Sequence, residues 1–200
     1  MRMPLALAAL AIAGCSTTPD APVREGWQRV ATETDRERLR EWRTAFTHAL
    51  AQARAAGHGD DIAREGRLLE PDAALGGGPV PDGNYHCRVI KVGAKSEAML
   101  DYIAYPRFRC RVEPGEVQRF TKLTGSQRHV GFIYPADQLR QVFLGTLVLG
   151  DETRAYEYGV DRERDVAGWV ERIGPGRWRM VLPYPHYEST LDVVELVPEQ

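Results

Sequence analysis

Three cations, Lys122, Arg128 and Arg172, stand beside apolar residues in stretches that alternate as strands do. Pointed into a closed β-structure, each would need an anionic partner, because burying an unpaired charge is costly. Glu171, Asp151 or Glu152 could supply it; so could an anionic ligand, and both options stay open. His186 and Glu188 lie two apart, so one strand face could carry both. A His beside a carboxylate can act as a base with its orienter. The surrounding Tyr184-Pro185-His186-Tyr187 reads equally as a loop or a strand edge. Asp151 and Glu152 follow Gly150 and could offer oxygens to Ca²⁺, which takes about six to eight; two adjacent acids in a turn are more simply solvated. Ser126, within Thr124-Gly125-Ser126-Gln127-Arg128, reads as a turn hydroxyl, and no G-x-S-x-G or H-E-x-x-H occurs. No catalytic residue, metal site or cofactor follows from these patterns, and the five residues Lys122, Arg128, Arg172, His186 and Glu188 are candidates for ligand binding.

The N-terminus states a location. One basic residue, Arg2, precedes an unbroken apolar run over residues 5–13. A membrane span needs about 20 apolar residues, so this run is too short for one and has the length of a secretory signal core. Ile12-Ala13-Gly14-Cys15 resembles a bacterial lipobox. The resemblance implies a diacylglycerol on Cys15, cleavage before it, and membrane attachment through two or more acyl chains. Ser16, in place of Asp, implies an outer-membrane destination under the sorting rule of some bacteria. An ordinary signal peptide beside a bystander cysteine is the alternative. The expected organisation is a signal peptide at 1–14, a lipidated tether at 15–32, a helical segment at 33–75 and an antiparallel β-domain at 76–200.

Composition bounds what remains. Hydrophobic content of 43% and charged content of 27% are globular values. The formal charge is −2, and loss of Arg2 with the signal moves it to −3, so no basic field recruits nucleic acid. With Cys15 assigned to lipid, Cys87 and Cys110 remain as an even pair in an oxidising compartment. Tyr85-His86-Cys87-Arg88-Val89 and Phe108-Arg109-Cys110-Arg111-Val112 share one pattern, in which the aromatic, the Cys and the Val take one strand face. A cross-strand disulfide is expected, with Cys87 opposite Cys110, Val89 opposite Phe108 and Tyr85 opposite Val112.

Two kinds of element must position these groups. Thr34 and Glu37 fit a capping box. Leu39, Trp42, Phe46, Ala49, Leu50 and Ala53 then recur at helical spacing, and Gly57 closes the pattern, predicting one amphipathic helix over 35–56 with a shorter one near 61–65. Gly76-Gly77-Gly78-Pro79-Val80-Pro81-Asp82-Gly83 breaks the chain. Strands are predicted beyond it at 84–92, 108–112, 117–124, 129–134, 141–149, 154–158, 167–173, 177–184 and 190–197. Trp178, Met180, Leu182 and Tyr184 share a face, with Arg177 and Arg179 opposite. The stretch 142–149 is apolar on both faces, as a strand covered within and without would be. Asp161-Arg162-Glu163-Arg164-Asp165 reads as an exposed charged loop. The expected fold is mainly β with an N-terminal helix: a small antiparallel β-barrel, a lipocalin-like meander of eight or nine strands flanked by the amphipathic helix. An α+β open sheet is the alternative.

From Thr34-Asp35-Arg36-Glu37-Arg38-Leu39-Arg40-Glu41-Trp42 onward the chain resembles an uncharacterised bacterial family, a domain of unknown function in exported proteins of about this length. Tyr105-Pro106-Arg107-Phe108-Arg109-Cys110, Thr124-Gly125-Ser126-Gln127-Arg128, Phe143-Leu144-Gly145-Thr146 and Arg177-Trp178-Arg179-Met180-Val181-Leu182-Pro183-Tyr184-Pro185 carry the resemblance. It implies a shared fold and transfers no site. Gly176-Arg177-Trp178 is similar to the lipocalin Gly-x-Trp, displaced to the C-terminus, and Tyr85-His86-Cys87 is similar to an early strand of periplasmic lysozyme inhibitors. The functional expectation is a non-catalytic envelope lipoprotein that binds a small or amphiphilic ligand. Its alternatives are a protein-binding or hydrolase-inhibitor module and an envelope enzyme. Expected partners are the membrane, through the anchor, and a small molecule or an envelope protein.

Overall fold

The structure is a computed structural model that describes residues 26–199. Cys15, the signal segment and most of the tether lie outside the described residues. Four helices come first: α1 (Trp27–Val30), α2 (Glu33–Arg40), α3 (Trp42–Ala55) and α4 (Gly59–Glu65), followed by a 3-10 turn at Gly66–Leu69. Nine strands follow: β1 (Gly83–Ala94), β2 (Tyr102–Ala104), β3 (Phe108–Glu113), β4 (Gln118–Lys122), β5 (Gln127–Pro135), β6 (Arg140–Leu149), β7 (Asp165–Gly174), β8 (Arg177–Pro183) and β9 (Ser189–Pro198). All pairings are antiparallel, and β9 returns to β1, so eight strands close a barrel with β2 as an extra strand. Closure removes the free edges that an open sheet would leave.

Alternation decides what each strand buries. Tyr85, Cys87, Phe120, Phe143, Trp178, Met180 and Leu196 face the interior as one apolar cluster. The outer faces of β6 to β9 and of the second half of β1 are covered as well, while those of β3 to β5 meet water. Ile90, Val92, Val181, Leu191 and Val193 lie under Phe46, Ala49, Leu50 and Ala53 of α3. Val142, Leu144 and Ala167 lie under Ala31 and Leu39. The doubly apolar stretch 142–149 is therefore covered on both sides, as expected. The close fit of α3 depends on Gly93: its φ is +75°, and a Cβ there would stand 3.0 Å from the Ala49 Cα.

The structure corrects several local expectations. The single helix over 35–56 is two helices with a break at Glu41 (φ −85°, ψ 6°), which lets α2 follow β7 while α3 lies across β1, β9 and β8. Thr32, rather than Thr34, caps α2. Its hydroxyl accepts from Asp35 N at 3.2 Å and donates to the Asp35 carboxylate at 3.0 Å, while Thr32 N donates to Tyr158 Oη at 3.0 Å, so the cap stands two residues upstream and lacks the reciprocal bond of a capping box. Trp27 packs edge-on against Trp169, so part of the stretch read as tether belongs to the helical layer. The predicted strand at 154–158 is a loop; Tyr158 donates instead to Asp35 at 2.6 Å. Asp165, read as exposed, is buried at the start of β7. The disulfide joins Cys87 and Cys110, but in a register two residues away from that expected: Tyr85 faces Cys110 and Cys87 faces Phe108, so the bridge runs diagonally.

This register shapes one end of the barrel. β3 pairs with β1 only through Gly83–Cys87, and above that point β2 takes its place along Ile90–Val92. Tyr105-Pro106-Arg107 joins the two, held where Tyr105 N donates to Val89 O at 2.9 Å. β2 has no second strand partner, so the wall opens there toward the β4–β5 hairpin.

Candidate functional site

A cavity of about 370 Å³ occupies this opening. Val89, Tyr105, Pro106 and Phe108 form its apolar wall, and Lys91, Lys122, Gln127, His129 and Glu188 its polar one. The antiparallel order explains the gathering. β4 ends and β5 begins at this end of the barrel, and their last paired positions are Thr121 and Val130. Lys122 and His129 are therefore the next residues on facing strands, both turned inward.

Lys122 is 3% exposed and has no carboxylate partner among the described residues. Its Nζ donates to Gln127 O at 2.6 Å and lies 3.8 Å from the centroid of the Phe108 ring, a cation–π arrangement. Desolvation, reinforced by the nearby charges of Arg128 and Lys91, brings its pKa down to about 8. His129 is 2% exposed, and its Nδ1 has no hydrogen-bond partner among the described residues. Burial first, then Lys122 and Lys91, push its pKa down to about 3, so the ring is neutral at physiological pH.

Lys91 is also buried but compensated. Its Nζ reaches Asp192 Oδ2 at 2.8 Å and Glu188 Oε2 at 3.2 Å. Desolvation opposes its charge, yet these two carboxylates hold its pKa above the ordinary value. Ser189 donates to the other Asp192 oxygen, completing the cluster. Glu188 takes its place with a positive φ of 68°, a sparsely populated conformation for a side chain of this kind.

The five sequence candidates separate. Lys122 and Glu188 share the cavity. Arg128 turns outward at the same end and donates to Gly125 O, Gly150 O and Glu152 O, stitching two loops together. Arg172 lies at the opposite end, where it donates to Gly76 O at 3.0 Å beside a smaller cleft of about 230 Å³. Arg128 turns away from the barrel, whereas Arg172 shares the inward side of β7 with Val170 and is drawn at the rim to Gly76 O and Gly174 O, so backbone carbonyls stand where an anionic partner was expected for both. His186 and Glu188 do not form a pair: His186 Nε2 is 3.8 Å from Glu163 on the rim, while Glu188 faces Lys91.

Lys91, His129, Asp192 and Phe108 complete the site without having been singled out in the sequence. One signal could have found part of it: only Lys91, Lys95 and Lys122 are lysines among 26 Lys and Arg residues. All three lie at this end of the barrel, with Lys95 donating to Pro185 O and His186 O. Among the described residues no three His, Cys, Asp or Glu side chains gather in a way that would hold a metal. The arrangement offers an apolar slot with one uncompensated ammonium at its polar wall, suited to a small molecule with an oxygen-bearing head.

No helix among the described residues is long and apolar enough to cross a membrane. A protein-family model described as "Domain of unknown function (DUF4893)" matches residues 27–196. No curated protein and no solved structure matches the chain.

Proposed function

The chain belongs to this family of unknown function, and on that premise we propose that it is a non-catalytic envelope lipoprotein whose barrel mouth binds a small amphiphile. The observation that carries the reading is Lys122, buried at the mouth cavity with a carbonyl and an aromatic ring for company but, among the described residues, no carboxylate on its Nζ. A ligand's oxygen head would meet this ammonium, and its apolar body would lie against Val89, Tyr105 and Phe108. Hydrogen bonds to charged groups contribute about 1.5–3 kcal/mol. Octanoate titrated into the full chain is therefore expected to bind saturably, and Lys122→Met to weaken it about tenfold or more. Absence of saturable binding by octanoate, hexanoate and benzoate alike would sink the reading.

The anchored location rests on the lipobox-like Ile12-Ala13-Gly14-Cys15 and on the disulfide, which suits an oxidising compartment. Cys15→Ala is expected to move the protein from the membrane fraction to the soluble periplasmic fraction. Retention of that variant on membranes, measured by fractionation, would remove the lipid anchor from the proposal.

One observation favours a second reading, a protein-binding module. Leu100 and Val160, 65% and 66% exposed, stand on loops of the same end as the cavity, with Met99, Leu123 and Tyr156 also exposed nearby. Envelope crosslinking through Leu100 that captures no protein counts against it.

A further inference from the structure

We infer that Lys122 is a carbonyl-reactive amine, and that the mouth cavity captures small aldehydes as an imine on its Nζ. This rests on the binding reading above and names the ligand's head group. Three features of the site lead to it.

First, a nucleophilic amine must shed its proton, and an arginine cannot do so. In a chain whose cations are overwhelmingly arginine, lysine stands at this cavity and at its edge. Of the three, Lys91 is held charged by Asp192 and Glu188, and Lys95 caps two carbonyls. Lys122 makes a single such bond, to Gln127 O, has no carboxylate on its Nζ among the described residues, and faces the apolar slot. Second, its surroundings disfavour the ammonium: the side chain is buried, and the nearby charges of Arg128 and Lys91 outweigh that of Asp192. With a pKa of about 8, about one molecule in ten carries the free amine at pH 7, against about one in three thousand for an ordinary lysine. Third, a neutral imidazole with an unpartnered Nδ1 lines the same cavity from the facing strand. His129 is buried away from bulk water, and the described residues give it no structural hydrogen bond at that atom.

The step balances without any oxidant or reductant. The Nζ lone pair forms a bond to the carbonyl carbon, and the carbonyl π pair moves to oxygen. Proton transfer from nitrogen to that oxygen gives the carbinolamine. The nitrogen lone pair then forms the C=N bond as the hydroxyl leaves, protonated, as water. Amine and aldehyde become imine and water. His129 is assigned the proton relay, taking the nitrogen proton and returning it to the departing hydroxyl. Phe108 and Tyr105 supply the apolar surface that holds the aldehyde's tail.

The test uses hexanal with cyanoborohydride, which reduces an imine to a stable secondary amine that peptide mass spectrometry can locate. On the full chain at pH 7, Lys122 is expected to be alkylated at least tenfold faster than Lys91 or Lys95. The rate should saturate with hexanal and rise with pH toward a midpoint near 8, set by the site's own electrostatics. Lys122→Arg should abolish labelling at position 122, because the cation is kept and the nucleophile is lost. His129→Asn should slow labelling of Lys122 relative to that of Lys95. Labelling of Lys122 no faster than of Lys95 overturns the inference. If octanoate binds in that case, the binding reading stands and only the imine falls. If octanoate does not bind at all, the binding reading falls, while the labelling ratio still decides whether the amine is reactive.

Discussion

Arg179→Met is expected to lower the stability of the barrel by about 3–5 kcal/mol, the range found when one member of a buried ion pair is removed. Arg179 is 0% exposed on the outer face of β8, under the helical layer. Its guanidinium donates to Leu68 O at 2.7 Å, Arg67 O at 3.1 Å and Pro71 O at 3.1 Å, tying the 3-10 turn to the sheet. It also stands 3.5 Å from Glu171, a carboxylate equally sealed from water, and 5.1 Å from the Phe46 ring. Without Arg179 the Glu171 charge keeps only Arg140, 3.8 Å away. Burial already raises the Glu171 pKa. The variant should raise it further, so that folded Glu171 holds its proton to a higher pH than the unfolded chain does. Its folded form then binds more protons above the unfolded pKa, and stability falls as pH rises through that window. The deficit of Arg179→Met relative to wild type, read from urea midpoints, should accordingly shrink between pH 7 and pH 5. Adding Glu171→Leu should recover part of the loss at pH 7. A double variant less stable than the single one would show that the carbonyl contacts, and not the stranded carboxylate, dominate.

Loss of the Cys87–Cys110 bridge is expected to cost about 3 kcal/mol, the entropy of closing a loop whose ends are 23 residues apart. Its position adds a local consequence. The bridge ties β1 to β3 just below the point where β2 takes over the pairing, so it holds the seam beside the mouth cavity. Reducing agent, or Cys87→Ala with Cys110→Ala, should lower the unfolding free energy extrapolated from urea titration by that amount. Amide exchange should rise first in β2 and β3, and less on the far wall of β6 and β7. Equal acceleration across all strands would mean that the bridge stabilises the barrel as a whole rather than its seam.

Much of the architecture is legible in residue patterns because the relevant physics is local. Alternation along 177–183 sends Trp178, Met180 and Leu182 to one face whatever the strand pairs with, and the doubly apolar 142–149 announces a strand covered on both sides. The pairing of the two remaining cysteines is legible too, from their matching surroundings. The limits are also physical. Tyr156 and Tyr158 alternate like a strand, yet the hydrogen bond from Tyr158 to Asp35, more than a hundred residues away, holds that stretch as a loop. The helix break at Glu41 follows from the curvature of a barrel whose shape no single helix records.

By itself the sequence determined a helical segment followed by an antiparallel β-domain with a disulfide, and it carries the resemblance to a family of unknown function that the match over residues 27–196 bears out. Only the tertiary structure decided the site. Lys122, Arg128 and Arg172 shared one local description, yet only Lys122 of the three lines the mouth cavity: Arg128 turns outward, and Arg172 sits at the other end of the barrel against Gly76 O. Strand parity is a local matter, whereas which strand ends meet is set by register and closure, and a shift of two residues leaves every face unchanged while moving every neighbour. That shift put Cys87 against Phe108 beside the opening, while closure of β9 on β1 set Asp192 against Lys91 and the β4–β5 pairing set Lys122 beside His129, four strands contributing to one mouth.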